Sequence, residues 1–397
     1  EGIVNEIAAR CKLPSKILEE MRNEFLYYYP LDTRHSGRDL VPNHLTFFIF
    51  NHCAIFPKTL WPQGIVVNGS VLMGGKKMSK SFGNIIPLKE TVQKYGSDPL
   101  RLALMATSEL LQDADLSLDM IKSFQGRLEK LYLMASELRE IKQIEISRDL
   151  MSIDQWMQSK LNNTIFAVSE SMDKLRFREA LHQIIYAFDK DIQWYLRRTK
   201  NRTQNKNLIK HILKNIFDVR IRLLSPFAPF FCEEIWEILG RKDFIAKTSW
   251  PQVKKDQINI IMEEGEDLVE QILNDTINIL KVTKLKPKRL TYFVASNWKQ
   301  GVYNEALDLA NNGSLSIQKM MKKLMVNRDL RSKSKQVSEF VKKTVDEVSK
   351  LPKEIREKRA SLTDFNEFNI LEEAKQFYQG EFNCDILIYK EDNQSKR

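Results

Sequence analysis

The stretch "VNGSVLMGGKKMSKSFGN", Val67 to Asn84, passes from β-branched residues through a glycine pair into three lysines placed around Met78. Its first half reads as strand, turn and strand: "GIVVNGSVLM" carries Asn68-Gly69, the favoured two-residue hairpin signal, between two apolar runs. Its second half is too polar to be core. Lysines on a loop bounded by Gly74, Gly75 and Gly83 can fold over a polyphosphate as mobile point charges, with the glycines letting the backbone approach and move. The GxxxxGK[ST] spacing is missing, so this is not a Walker loop.

Working outward, a chain of 397 residues with 43% hydrophobic content is long enough for about two to four packed domains. The formal net charge of +10 points to a polyanionic partner, since clustered Lys and Arg displace counterions from phosphate backbones. The four cysteines (Cys11, Cys53, Cys232, Cys384) are scattered, with no CxxC pair. Neither a metal site nor a disulfide framework is indicated, and a reduced, cytoplasmic protein fits. No apolar run reaches membrane-spanning length, so no membrane partner is expected. The chain opens on Glu1 with "GIVNEIAARCKLP", which reads as mid-domain helix, so the expectation is a chain that starts inside a larger protein.

Residues 1 to about 30 carry apolar residues at helical spacing, with a second helix start at Pro14-Ser15. From His44 to Phe56 a buried helix is expected, because Phe47, Phe48, Phe50 and Ile55 surround most of its circumference. After the lysine loop, "PLKETVQKYGSDPLRLALMATSE" gives a helix, a punctuation, and a second helix starting at Pro99 behind Asp98 as cap. From about 121 to 240, four long segments each carry an apolar stripe, such as Leu161, Ile165, Val168 and Met172, which argues a helix bundle. Past "SWPQV", the strand-like runs "RLTYFVA" and "CDILIYK" bracket amphipathic helices, an α+β pattern. Residues 281–359 are lysine-rich, either a solvated face or a surface for phosphates.

The letters of the loop sharpen its reading. "KMSKS", Lys77 to Ser81, is the signature of class I aminoacyl-tRNA synthetases, and its chance occurrence in a chain this long is on the order of one in several thousand. A strand precedes it, "FGN" follows, and "GSDPLRLALM" resembles the family's G-A-D-x-x-R helix. Upstream, "YYYPLDTRHSGRDLVPNHLTFFIFNH" is similar to a segment of leucyl-tRNA synthetases of the archaeal and eukaryotic cytosolic type. Downstream, "LSPFAPFFCEEIW" resembles the closing helix of the anticodon-binding bundle shared by the leucine, isoleucine, valine and methionine enzymes.

The resemblance implies a multidomain, mostly α chain: the second half of a Rossmann α/β catalytic domain, then a class Ia anticodon-binding helix bundle and a small α+β C-terminal domain. The implied boundaries are 1–87 for the catalytic part, 88–122 for a stem-contact connector, 123–250 for the bundle and 251–397 for the tRNA-binding domain. It implies the ATP-dependent activation of L-leucine and its transfer to tRNA-Leu, with Mg2+ arriving with the ATP and no dedicated metal site. Lys80 is the implied principal pyrophosphate contact, with Lys77 and Ser79 assisting. Met78, Ser81, Gly37, Asp39 and the backbone of Val67 are implied around the nucleotide, Gly37 under the adenosine and Asp39 on the ribose hydroxyls, while the local letters alone leave Asp39 open as a cap of the following helix. His44 is expected either to line the amino-acid pocket or to be a satisfied core histidine. Arg197, Arg198, Lys200 and Arg202 form a basic cluster at a helix end, open to phosphate contact, dipole complementarity or solvation.

No His-x-Gly-His tetrad occurs, and no editing domain is recognised. The expected partner is therefore an N-terminal half carrying both, and no aminoacylation is expected of this chain alone. Two other readings stay open: a synthetase of the same subclass for isoleucine, valine or methionine, and a non-catalytic tRNA-binding subunit.

Overall fold

The computed structural model describes residues 2–78, 81, 83–141, 150–202, 206–362 and 365–392. Ser79 and Lys80 of the lysine motif lie outside the described residues. The chain divides into two compact units, one of Glu1–Gln143, Thr164–Asp189 and Leu213–Gln252, the other of Ile144–Asn163, Lys190–Ile212 and Val253–Arg397.

The first unit opens with helices α1 (Gly2–Cys11) and α2 (Ser15–Tyr28) and continues into a small parallel sheet, β1 (Arg34–Gly37) beside β2 (Ile65–Asn68), connected through α3 (Thr46–Ile55). A single wide turn, Val41–Leu45, leads into α3. The helix expected over 44–56 forms, but it is not buried: of its residues only Leu45 and His52 are, while Phe47 and Phe50 are each 68% exposed. The apolar circumference that reads as core thus faces outward in this chain. His52 is held by aromatic neighbours, its ring tilted 4.1 Å from that of Phe48 and stacked 5.9 Å from that of Tyr29. Its Nδ1–H donates to the Phe48 carbonyl at 2.8 Å.

A second sheet has the order β4 (Lys76–Lys77), β3 (Val71–Met73), β5 (Ala114–Asp115), with β3 antiparallel to β4 and parallel to β5. This corrects the expected hairpin. Asn68-Gly69 does not fold β2 back on β3; the two strands belong to different sheets. The actual hairpin is β3–β4, turned by Gly74 and Gly75 at φ +60° and +74°, the left-handed pair that matches strand twist. Gly69 answers a different need: a Cβ there would stand 2.1 Å from the Gln112 carbonyl oxygen.

Helices α4 (Leu88–Tyr95) and α5 (Ser97–Met105) follow, separated by Gly96 at φ +87°. The second begins at Ser97, not Pro99, and Asp98 does not cap it. Its Oδ2 accepts from the Phe231 amide at 2.6 Å. Helices α6 (Leu118–Leu138), α7 (Ser152–Asp173), α8 (Phe177–His182), α9 (Phe188–Thr199), α10 (Lys206–Leu224) and α11 (Pro229–Ile238) carry the expected stripes. In α6, capped by Ser117, the residues Ile121, Phe124, Leu128, Leu131 and Ala135 are buried at helical spacing. Burying each of the four larger side chains contributes about 1.5–3 kcal/mol. The last long stripe is broken between α10 and α11 at "SPFAP", where Pro226 and Pro229 end one helix and start the next.

In the second unit α12 (Ile260–Thr283), capped by Asn259, leads to β6 (Arg289–Val294). Helices α13 (Asn297–Asn311), α14 (Ile317–Leu324), α15 (Arg328–Ser332), α16 (Ser334–Lys350), α17 (Lys353–Ala360) and α18 (Glu367–Phe382) intervene before β7 (Asp385–Lys390). The two strands pair in parallel from Arg289↔Asp385 to Val294↔Lys390, the strand, helices and strand that the sequence pattern requires. One core packs Val269 and Leu273 of α12 against Leu371, Ala374 and Tyr378 of α18 and Ile386 and Ile388 of β7. A second joins Val302, Ala306 and Leu307 of α13 with Met320, Val337, Val341 and Val348.

Candidate active site

In parallel sheets ligands gather at the carboxyl ends of the strands. Here β1 ends at Gly37 and β2 at Asn68, directly opposite one another, so the "HSGRDL" segment and Val67 share one edge. The Asp39 carboxylate folds back over Gly37 so closely that a Cβ at 37 would meet its Oδ1 at 2.7 Å. Asp39 is exposed and Val67 half-buried. A glycine with a carboxylate over it at a strand end suits a sugar edge, because a carboxylate accepts from two vicinal hydroxyls.

The β3–β4 hairpin delivers the lysines. Lys76 and Lys77 are exposed, Met78 is half-buried and Ser81 exposed. The Asn84 side-chain amide donates to the Lys77 carbonyl at 3.1 Å, and the Gly75 amide donates to the Asp115 carboxylate at 3.1 and 3.2 Å. Asp113 accepts from the Ser70 amide at 2.7 Å and from the Arg38 guanidinium at 3.0 Å. The Ser70 amide, with the Arg38 guanidinium and the Lys77 ammonium, holds the Asp113 carboxyl below the usual carboxylate range. Neither aspartate is legible as a site residue from the sequence; the "DAD" of Asp113–Asp115 is the only signal. His44 is exposed, and its Nε2 accepts from Arg34 Nη2 at 3.2 Å. The satisfied core histidine of this segment is His52 instead.

The "GSDPLR" and "LSPFAPFF" motifs meet. Arg101 donates from Nε to the Phe227 carbonyl at 3.0 Å and from Nη2 to the Pro226 carbonyl at 3.1 Å, alongside the Asp98–Phe231 bond. Burial raises the Asp98 carboxyl, while the Phe231 amide and Arg101 oppose that rise.

The basic cluster at the end of α9 splits in two. Arg202 Nη1 donates to both oxygens of Asp154, at 2.9 and 2.8 Å, and the Tyr195 hydroxyl donates to Asp154 at 2.7 Å. Burial beside that carboxylate pushes the Tyr195 hydroxyl well up. Arg198 pairs with Glu266, which also accepts from Trp194 Nε1 at 2.9 Å, and its guanidinium lies 4.6 Å from the Phe377 ring centroid. These two arginines are committed to buried ion pairs, because carboxylates from other helices neutralise them in place. Arg197 forks onto Glu381 at 3.1 and 2.6 Å while staying partly exposed, and that carboxylate raises its pKa. Lys200 is exposed.

Two family models match the chain: tRNA synthetases class I (M) over residues 18–128, and the anticodon-binding domain of tRNA ligase over residues 154–292. The leucine–tRNA ligase of Methanocaldococcus jannaschii is 37% identical over 100% of this chain and 40% of its own length. Those of Methanococcoides burtonii and Pyrococcus horikoshii are each 34% identical, over 97% and 96% of this chain and 39% and 38% of their own. The chain spans about two fifths of the length of these curated relatives. With whole-chain similarity to leucine–tRNA ligases, and with a class I catalytic part and an anticodon-binding domain in one sequence, the chain belongs to the leucine–tRNA ligases among the class I aminoacyl-tRNA synthetases.

Proposed function

We propose that this chain supplies the KMSKS half of a leucine-activating site together with the domains that hold tRNA-Leu. In the reaction a leucine carboxylate oxygen bonds to the α-phosphorus of ATP, and the bond from that phosphorus to the bridging oxygen breaks to release pyrophosphate. Negative charge grows on the leaving group, and cations aimed there lower the barrier more than they tighten ground-state binding. Lys77 stands at the end of the hairpin with its ammonium exposed, and Lys80 and Ser79 follow in the motif. Gly37 and Asp39 take the ribose, and Val67 offers backbone groups to adenine. Met78 and Ser81 border the nucleotide, and His44, oriented by Arg34, faces the amino acid. The observation that carries the reading is the junction itself: a parallel pair ending at Gly37 and Asn68, followed after two residues by the lysine-bearing hairpin.

Mg2+ would enter with the triphosphate, whose oxygens suit it. Among the described residues no group of three or more His, Cys, Asp or Glu is placed to hold a metal. Also among them, no helix is long and apolar enough to cross a membrane, and the four unpaired thiols fit work in the cytoplasm. The exposed Phe47 and Phe50, with Tyr27 and Tyr28 of α2, are the surface an N-terminal half bearing the His-x-Gly-His tetrad and the editing domain would cover. On the tRNA side Arg197 and Lys200 are the members of the cluster left for phosphates, and the lysine-rich helices of residues 281–359 meet the RNA through shape and backbone. We assign the catalytic part to 1–87, the connector to 88–122, the bundle to 123–250 and the tRNA-binding domain to 251–397. Leucine-dependent exchange of pyrophosphate into ATP tests the reading. Lys80→Ala in the complete ligase is expected to lower the exchange rate by roughly two to three orders of magnitude, with a much smaller fall in ATP affinity; an unchanged rate overturns the assignment.

A further inference from the structure

Asp113 stands where three segments meet. The parallel register sets Gly37 opposite Asn68, and the next residue, Gly69, lacks the side chain that would collide with the Gln112 carbonyl. That close approach delivers Asp113 between Arg38, which follows Gly37, and Ser70, which precedes β3. Its Oδ1 accepts from the Ser70 amide at 2.7 Å and from Arg38 Nη2 at 3.0 Å, and its Oδ2 lies 3.3 Å from the same nitrogen. Two residues on, Asp115 holds the Gly75 amide at the other end of β3. Solvent screens an ion pair this exposed, so what the arrangement contributes is a fixed spacing rather than stability.

We propose that Asp113 is a positioning residue for leucine activation. Its carboxylate joins the ribose-side segment Gly37–Asp39, through Arg38, to the phosphate-side hairpin Val71–Lys77, through Ser70, and so sets the span the nucleotide must fit. The inference rests on the adenylation reading above. Positioning of this kind carries large rate effects, since a displacement of about 1 Å can cost on the order of a hundredfold.

In the complete ligase, Asp113→Ala, Asp113→Asn, Arg38→Ala and the Arg38→Ala/Asp113→Ala pair are compared by leucine-dependent pyrophosphate exchange, with Tm measured alongside. Asp113→Ala is expected to lower kcat/KM for ATP by ~10–100-fold, with KM for leucine within about twofold of wild type and Tm shifted by no more than a few degrees. Asp113→Asn keeps an acceptor for the Ser70 amide and loses only the charge toward Arg38, so its loss is smaller. The double variant is expected to be no worse than the poorer single one, because both remove the same link. Wild-type kinetics for Asp113→Ala, additive losses in the pair, or KM for ATP and leucine rising together with a falling Tm overturn the inference. If Asp113→Ala does not fold, Asp113→Asn and Arg38→Ala carry the same comparison. A wild-type ligase without leucine-dependent exchange overturns the functional reading itself, which separates the two failures.

Discussion

Arg38–Asp113 and Arg202–Asp154 join the same two kinds of side chain at similar distances, 3.0 and 2.8 Å. The first pair has side chains 52% and 30% exposed, the second 10% and 0%. In the first, solvent screens the attraction and the carboxylate has a backbone amide as its nearer partner. In the second, desolvation makes each charge dependent on the other, and Asp154 also takes the Tyr195 hydroxyl and the Met151 amide. The difference teaches that an arginine's motif context says little about its task. Exposure decides whether it sets a distance or holds a fold.

Breaking the buried pair gives the largest effect. Asp154→Ala leaves Arg202 and Tyr195 without their acceptor, and an expected loss of about 3–5 kcal/mol is read from denaturant unfolding of this chain; a loss below about 1 kcal/mol would place the pair with the exposed ones. Asp191 sharpens the contrast, because it is a half-buried carboxylate with poorer compensation. Burial raises its pKa to about 6, with Lys160 opposing the rise and Glu263, Asp267 and Glu270 adding to it. An acid whose folded pKa lies above its unfolded value of 3.8 destabilises the fold once ionised, and that cost is relieved as pH falls through about 6 toward 4. Asp191→Asn is expected to raise stability at pH 7 by up to about 3 kcal/mol, with most of that gain over wild type lost by pH 4 in thermal melts. A gain that persists unchanged at pH 4 would assign it to packing. Arg38→Ala, at the exposed pair, is expected to change stability by no more than ~1 kcal/mol. Arg197→Ala, which breaks the fork on Glu381, belongs in the same range, and smallest of all, Lys200→Ala is expected to leave the melt unchanged. Each should reduce the salt slope of tRNA binding to the complete ligase by about one, whereas an unaltered slope would remove them from the RNA surface.

Much of the fold was legible because its cues are local. The stripes of α6 and α7, and the runs that became β6 and β7, declare themselves within a few residues. The candidate site is proposed from letters, in "KMSKS" and "HSGRDL". It was illegible where partners are distant in sequence: Asp113 takes its amide from a residue 43 positions away, and Asp115 from one 40 away. The basic cluster misled for the same reason, since Glu266 and Asp154 lie 68 and 48 positions from the arginines they neutralise. Asn68-Gly69 misled differently. A glycine chosen for close approach to Gln112 has the same letter as one chosen for a turn, and the true turn was the Gly74-Gly75 pair a few residues on.

Asp98 and Arg101 hold residues 226–231 through main-chain bonds. On the far side every partner is backbone: the Phe231 amide and the carbonyls of Pro226 and Phe227. A joint that grips main chain is indifferent to which side chains the gripped segment carries, provided its course is kept. Chimeras that exchange residues 226–231 between divergent relatives should therefore keep this seam, whereas exchanges at Asp98 or Arg101 should not, and lineages are free to redraw one side of the joint while the other stays fixed.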